Sequence, residues 1–249
     1  MGKPRGLDAA VSEQLRVTGL DDPIEVRRHP TARRMTLRVS RTKRAVIVTL
    51  PMQCNLKQAG QFLSTNIDWV RERLTNMPAP VPFADGGVIP LRGVPHRIVF
   101  VGPRRGPPIK SVATVDEQLD EVHVAGALEH APRRLRDWLV SEAKSDLIER
   151  SYHHAEQLDL AIGRITVRDQ TSRWGSCSST GNLSYSWRLI LAPTAILDYV
   201  AAHEVAHLKE MNHGPQFWAL VKQTFPALDE AKHWLQIYGL DLHRYGSDS

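Results

Sequence analysis

The sequence predicts an α+β fold in which a small β-rich and helical subdomain precedes a larger domain. Three observations favour it: apolar and polar residues alternate near the N-terminus, short apolar runs between Gly and Pro clusters follow, and amphipathic segments lie beyond them. The 249 residues, 42% hydrophobic and 24% charged, suffice for a sizeable core. The expected organisation is a tail over 1–23, the small subdomain over 24–76, a Pro-rich linker over 77–85, the larger domain over 86–245 and a tail over 246–249.

Alternating apolar and polar residues between 24 and 50, on either side of a polar turn at 41–44, predict a β-hairpin with one buried face. The apolar positions before the turn are Met35, Leu37 and Val39. Asn55 then has the residue type of a helix N-cap, and apolar residues near helical spacing continue to about Leu74. The small subdomain is therefore expected to be a basic hairpin followed by a helix.

Positive charge is concentrated in this predicted hairpin. The chain has a net charge of +5, whereas residues 24–44 alone carry +7, so the remainder stands at −2. The eight cations of the segment, against the single anion Glu25, are Arg27, Arg28, Arg33, Arg34, Arg38, Arg41, Lys43 and Arg44. Such a face can bind nucleic-acid phosphates, or it can be a solvated sheet face whose charge prevents aggregation. The segment has no aromatic residue to stack on bases, and both interpretations stay open.

The larger domain begins with four short apolar runs that predict a small antiparallel sheet. They cover residues 88–91, 98–101, 112–115 and 122–124. A long amphipathic helix is expected from Pro132 to about Leu158, because Pro suits the first helical turn and apolar residues recur along one face. The remaining predicted elements are a strand over 163–167, a loop over 169–181, a strand over 182–191, a helix from Pro193 to about Glu210 and a helix from Pro215 to near Phe225.

The helix expected after Pro193 contains an H-E-x-x-H motif. His203 and His207 are four residues apart, so their imidazoles lie on one helical face and can share one metal ion. Glu204 lies beside them, where a carboxylate can take a proton from a water that zinc has activated. The apolar strand expected over 182–191 would form the substrate-facing edge of a zincin. The motif indicates a zinc-dependent hydrolase.

A third ligand has two candidates, His213 and Glu230. His213 follows His207 by six residues, as in metzincins, but Glu210 stands where their Gly would be and no Met follows Met211. Gluzincins instead take a Glu from a later helix, and Glu230 is the candidate for that arrangement. We prefer His213, because Asn212 can adopt the left-handed conformation that ends a helix.

Four segments together resemble the YgjP-like metallopeptidase family, which is related to the SprT and Spartan-type proteases. They are Arg173-Trp-Gly-Ser-Cys-Ser178, Trp187-Arg-Leu-Ile-Leu-Ala-Pro193, the eleven residues from His203 to His213, and Phe217-Trp218. The resemblance is strong over 163–245 and looser over 24–158. It implies a zincin-like fold, one zinc ion per chain and a third ligand from the His-Gly-Pro-x-Phe element that begins at His213.

The predicted function is that of a zinc metallopeptidase acting on proteins or peptides, with His203, His207 and His213 as metal ligands and Glu204 as general base. One alternative is metal-dependent hydrolysis of a nucleotide phosphoanhydride. Another is a nucleic-acid-binding adaptor with structural zinc, although an intact Glu204 argues against it because a structural site needs no base. Oligomeric state is left open.

Several other residues near the motif have both a functional and a structural interpretation. Cys177 is expected to be a small loop residue rather than a reactive thiol. Arg173 and Trp174 either line the cleft or anchor the loop that carries them. His233, Tyr238 and His243 could each donate to a developing oxyanion, but each is also an ordinary helix or tail residue.

Cysteine content and hydropathy indicate the compartment. The chain has only Cys54 and Cys177, which argues against a disulfide scaffold and fits a reducing environment. It has no run of eighteen apolar residues, and its N-terminus lacks the apolar region of a signal peptide. We therefore expect a soluble cytoplasmic protein with no membrane partner.

Overall fold

The structure is a computed structural model that describes residues 13–15, 17–21, 23–40, 45–104, 109–112 and 119–246. It divides into two compact units, Met1–Pro78 and Ala79–Ser249. Six α-helices and three small sheets in the described residues confirm the predicted α+β class. Within the described residues, the helices are too short or too polar to cross a membrane.

The first unit has a four-stranded sheet in the order β1-β2-β4-β3. Its strands are β1 Glu13–Gln14, β2 Ile24–Arg28, β3 Thr36–Ser40 and β4 Ala45–Leu50. The predicted antiparallel pair is present as β3 and β4, while its turn at 41–44 lies outside the described residues. β2 is not part of this hairpin, since it pairs with β4 in parallel on the other side.

Two helices cover one face of this sheet: α1 Leu56–Thr65 and α2 Ile67–Thr75. Asn55 caps α1 as predicted, because its side chain accepts from the Gln58 N–H and the Gln58 side chain accepts from the Asn55 N–H. The expected single helix is interrupted at Asn66, whose side chain donates to the Phe62 carbonyl oxygen. The buried residues that join sheet and helices include Val46, Val48, Leu50, Leu63 and Val70.

The second unit begins with a four-stranded sheet in the order β5-β6-β8-β7. Its strands are β5 Val88–Leu91, β6 Val94–Gly102, β7 Ile109–Val112 and β8 Asp120–Ala125. The prediction of a wholly antiparallel sheet is wrong, because β6 and β8 pair in parallel. Alternation of apolar residues shows which face of a strand is buried, but not which strand lies next to it or in which direction that strand runs. Of the run predicted over 112–115, residues 113–115 lie outside the described residues.

The predicted linker over 77–85 supplies buried side chains at both ends. Met77 packs in the core of the first unit, and Phe83 is buried in the core of the second. Between them, the Val81 N–H donates to the Arg244 carbonyl oxygen, 2.8 Å away. The later part of this Pro-rich segment therefore belongs to the second unit.

Helix α3, Ala131–Gln157, runs through the core of the second unit. Its bounds agree with the predicted helix to within one residue at each end. Leu135, Leu139, Ala143 and Leu147 are fully buried at helical spacing. α3 therefore provides the surface against which the third sheet and the motif helix pack.

The third sheet has the order β10-β11-β9. Its strands are β9 Ile165–Arg168, β10 Gly175–Cys177 and β11 Leu183–Ser186. The predicted strand over 182–191 is wrong beyond Ser186, because Trp187–Leu191 form a 3₁₀ helix whose five residues are all buried. The apparent alternation failed there because Arg188 is also buried, donating to the Asp169 carboxylate at 2.9 Å.

Three helices complete the second unit: α4 Thr194–Ala206, α5 Pro215–Thr224 and α6 Leu228–Tyr238. α5 begins at Pro215 and ends one residue before Phe225, as predicted. α4 begins after Pro193 as expected but ends at Ala206, four residues short of the predicted end. The chain tightens there, because the Leu208 N–H donates to the Val205 carbonyl oxygen at 3.0 Å, three residues back rather than four.

Candidate metal centre

The last turn of α4 brings His203 and His207 together. Nine of the thirteen residues of α4 are buried, so this helix has little freedom to move in the core. The ring centroids of His203 and His207 are 5.0 Å apart. His207 is the C-cap residue rather than a mid-helix residue, yet its backbone still has a right-handed helical conformation.

His213 reaches the same point from the connection between α4 and α5. Its Nε2 lies 3.1 Å from Nε2 of His203, and the ligand atoms of the three histidines are all within 4.8 Å of one another. The left-handed conformation expected at Asn212 is wrong. Among the described non-glycine residues, positive φ occurs only at Arg92 and Asp159. Within the described residues, Glu230 does not belong to a convergent group of three or more potential ligands.

Burial favours the neutral imidazole of His203 and His207, and a hydrogen bond orients the ring of His207. The Nδ1–H of His207 donates to the Glu210 carbonyl oxygen at 2.9 Å, which leaves the Nε2 lone pair free. Burial, followed by the neighbouring histidines, lowers the pKa of His203 to about 3, and burial also lowers the pKa of His207. Neutral imidazole is the metal-binding form.

The separation of the nitrogens also fits zinc. Tetrahedral coordination with zinc–nitrogen bonds near 2.0–2.1 Å places ligand nitrogens about 3.3 Å apart. The observed 3.1 Å between His203 and His213 is close to that value. The convergence of the three histidines and the lowered pKa values of His203 and His207 fit a zinc ion.

Glu204 is buried between α4 and the strand β10. Its side chain is 5% exposed, and burial raises the pKa of its carboxyl to about 8, opposed by the positive charge of Arg173. Gly175 in β10 lies directly against this carboxylate. A Cβ at position 175 would lie 2.6 Å from Oε1 of Glu204, so only glycine leaves the carboxylate its present position.

Aromatic rings of α5 enclose the three histidines on one side. The ring of Phe217 lies within 4.4–4.9 Å of each imidazole, centroid to centroid. Trp218 stacks on His213 at 5.6 Å, and the Lys232 ammonium lies 4.2 Å from the centroid of the Trp218 ring. This wall restricts the imidazole orientations and places a cation near the centre.

The strand expected to form the substrate-facing edge, over 182–191, is not an edge strand. β11 is the central strand of its sheet, so the edge next to Glu204 is β10, in the segment predicted to be a loop. The available sequence signal was Gly175 between Trp174 and Ser176, a strand glycine where another group approaches closely. Sequence reasoning gave Gly175 no role at the site.

The other candidates from the sequence have mostly structural surroundings. Burial raises the pKa of the Cys177 thiol, with Glu204 adding to the effect, and this supports the inert interpretation of Cys177. Trp174 packs on His243, with ring centroids 5.0 Å apart. Burial lowers the pKa of His243 to about 4, whereas His233 and Tyr238 are exposed on α6.

Three convergent imidazoles beside a buried carboxylate, in a mixed α+β domain, are the arrangement expected of a metal-dependent hydrolase. The family described as YgjP-like, metallopeptidase domain, matches residues 33–238, and the chain belongs to that family. The predicted family and zincin-like fold class are thereby confirmed. At the family level the chain is a metal-dependent peptidase, for which proteins or peptides are the substrates.

One solved structure is similar to part of the chain. It is the crystal structure of the metallopeptidase zymogen of Pyrococcus abyssi abylysin, 19% identical, with a TM-score of 0.34. The similarity covers 36% of this chain and 94% of that one. No curated protein matches the chain.

Proposed function

We propose that the protein is a zinc metallopeptidase in which His203, His207 and His213 hold one zinc ion and Glu204 is the general base. The observation that carries the proposal is the convergence of three imidazoles beside a buried carboxylate. Bound zinc would supply a Lewis acid that polarises a carbonyl oxygen and lowers the pKa of water toward neutrality.

The protein's own residues would orient the reactants and move the proton. His207 is fixed in one tautomer by the Glu210 carbonyl, so its Nε2 stays available as a ligand atom. Glu204 would accept the proton of the attacking water at a carboxylate oxygen and pass it to the leaving amine. Gly175 keeps that carboxylate in position, because it offers no side chain in the space the carboxylate occupies.

The free edge of β10 gives a peptide substrate a place to bind. β10 is an edge strand beside Glu204, and its outer side has no strand neighbour among the described residues. An extended peptide pairing with this edge would run past the carboxylate. Arg173, whose charge acts on Glu204, lies two residues before β10 and would face the same peptide.

Peptide hydrolysis accounts for the centre better than either alternative. Phosphoanhydride hydrolysis more often uses two metals held by carboxylates, whereas the convergent ligand group in the described residues consists of three histidines. An adaptor with structural zinc would close the coordination with a fourth protein ligand. Within the described residues the convergent group has three members, and Glu204 beside it would act as a base rather than as a fourth ligand.

A hydrolysis screen on the zinc-loaded protein tests the proposal, with casein, nucleoprotein and nucleoside triphosphates as substrates. Casein should be cleaved, and Glu204→Gln should lower turnover about 10³-fold or more while zinc content is retained. Nucleotide hydrolysis without casein cleavage would favour the phosphoanhydride alternative. An unchanged rate in Glu204→Gln would contradict the mechanism.

We propose the cytoplasm as the compartment, because both Cys54 and Cys177 are free thiols. Nucleic-acid binding by the basic segment is also kept as a proposal. Among the described residues of that segment, Arg33, Arg34 and Arg38 are exposed and available to phosphates.

A further inference from the structure

The edge of the first sheet carries backbone groups that the fold does not use. The Val46 N–H donates to the Pro23 carbonyl, and the His29 N–H donates to the Leu50 carbonyl, so alternate residues of β4 are directed toward β2. The intervening residues, including Ile47 and Thr49, are therefore directed toward β3. Their partners across the antiparallel ladder are Arg38 and Thr36.

Leu37 and Val39 must then direct their N–H and C=O groups away from the sheet. β3 is an edge strand, and these four groups have no hydrogen-bond partner among the described residues. Unlike these backbone groups, the side chains of Leu37 and Val39 pack against the core of the first unit. The free edge is thus an ordered row of two donors and two acceptors on a rigid support.

Helix α2 lies opposite this edge and turns it into a groove. The groove has a volume of about 530 Å³, and its walls are Leu37, Arg38 and Val39 on one side and Trp69, Glu72, Arg73, Asn76 and Met77 on the other. Trp69 is 40% exposed, although it is a large aromatic residue. The Arg73 guanidinium lies 5.5 Å from the centroid of its ring.

We propose that this groove binds an extended peptide segment, which adds a strand to β3 and packs against α2. Alternating donors and acceptors match a polypeptide backbone, which offers both. A nucleic-acid backbone offers phosphate acceptors and would leave the Leu37 and Val39 carbonyl groups without donors. The ligand chemistry that satisfies all four groups is peptide.

The two faces of the edge specify the side chains of this peptide. Strand residues alternate between faces, so every second peptide residue would lie on the α2 side, beside Trp69 and Met77, and should be apolar. The others would lie beside Arg38 and Thr36, which are exposed on the opposite face. An acidic residue there would pair with Arg38 across the strands. The preferred segment therefore alternates apolar and acidic residues.

The groove lies entirely within the first unit, whereas the histidine centre lies in the second. That the bound segment belongs to a substrate rests on the proposed peptidase function. Peptide binding by the groove does not depend on the peptidase function. The two can therefore be tested separately.

The test is binding of a fluorescein-labelled decapeptide of alternating Val and Glu to the full chain carrying Glu204→Gln, which prevents cleavage. Val39→Pro removes one outward N–H without removing a ladder bond, and Trp69→Ala removes the aromatic wall. Each should weaken binding about tenfold or more by fluorescence anisotropy. Met52→Ala, at an apolar residue that is 57% exposed but outside the groove, should leave binding unchanged.

Amide hydrogen exchange provides a second measurement that does not depend on any variant folding. Exchange at Leu37 and Val39 should be fast in the free protein and slow when the peptide is bound. Slow exchange in the free protein would show that another part of the chain, or a second copy, covers the edge. That result overturns the proposal, as would stronger protection of the same amides by a 20-nucleotide oligothymidylate.

Discussion

The two units of the protein use charged and polar groups in opposite ways. In the second unit Glu204 and His207 are buried, and burial moves the pKa of Glu204 up to about 8 and that of the partly buried His203 down to about 3. In the first unit Arg33, Arg34 and Arg38 are exposed. Exposed charges act through fields that salt screens, whereas buried ones act through precise local contacts.

This difference has a consequence for mutation. Changes at the buried centre should produce large effects that depend on a few tenths of an ångström. Changes on the exposed sheet should produce small effects that depend on ionic strength.

Gly175→Ala should have the largest effect. The new Cβ would lie 2.6 Å from the Glu204 carboxylate oxygen, so the carboxylate must move. We expect peptide hydrolysis to fall at least about tenfold, because a misplaced base loses much of its effect, and stability to fall by about 1–3 kcal/mol from overpacking. Zinc content should be retained, since the three atoms nearest the new Cβ all belong to Glu204 and not to a histidine.

Gly214→Ala is the matched control for this substitution. Gly214 lies next to His213 in sequence, yet a Cβ there would meet no atom within 4 Å, and its φ of −81° suits any residue. Activity and stability should both be near those of the unmodified protein. Equal losses in the two variants would show that the contact between Gly175 and Glu204 has no special role.

Tyr185→Phe should have an intermediate effect, on stability alone. The Tyr185 hydroxyl is buried and lies 2.9 Å from the Ser151 hydroxyl, which joins β11 to α3. Removing it should lower the free energy of unfolding by about 1 kcal/mol, measured by urea denaturation. Tyr152→Phe is the control, because Tyr152 is 53% exposed, and it should change stability by less than about 0.5 kcal/mol.

Arg33→Gln combined with Arg34→Gln should have the smallest effect, and only on polyanion binding. If the basic segment binds nucleic acid, affinity should fall with salt, and this double variant should flatten the log–log slope because fewer phosphates are neutralised. Fluorescence anisotropy at two salt concentrations measures it. Affinity at physiological salt no tighter than about 10⁻⁴ M would remove nucleic acid as a partner.

Features encoded by neighbouring residues could be predicted from the sequence. The bounds of α3 followed from the spacing of Leu135, Leu139, Ala143 and Leu147, and the Asn55 cap followed from residue type. The clustering of His203, His207 and His213 was expected from a motif of eleven residues. Each of these features depends on residues that are close together in the sequence.

Features that depend on distant segments could not be predicted in this way. The parallel pairing of β6 with β8 is a matter of strand order, which alternation does not encode. The 3₁₀ helix Trp187–Leu191 is buried on all sides, so its pattern resembled that of a strand. Gly175 becomes meaningful only where β10 packs on Glu204, twenty-nine residues further along the chain.

Metal analysis of purified His213→Ala and Glu230→Ala proteins decides which residue is the third zinc ligand. The unmodified protein should hold about one zinc per chain. His213→Ala should lose most of it, because the Nε2 3.1 Å from that of His203 is removed, and Glu230→Ala should retain it. Full zinc in His213→Ala with loss in Glu230→Ala would contradict the three-histidine centre.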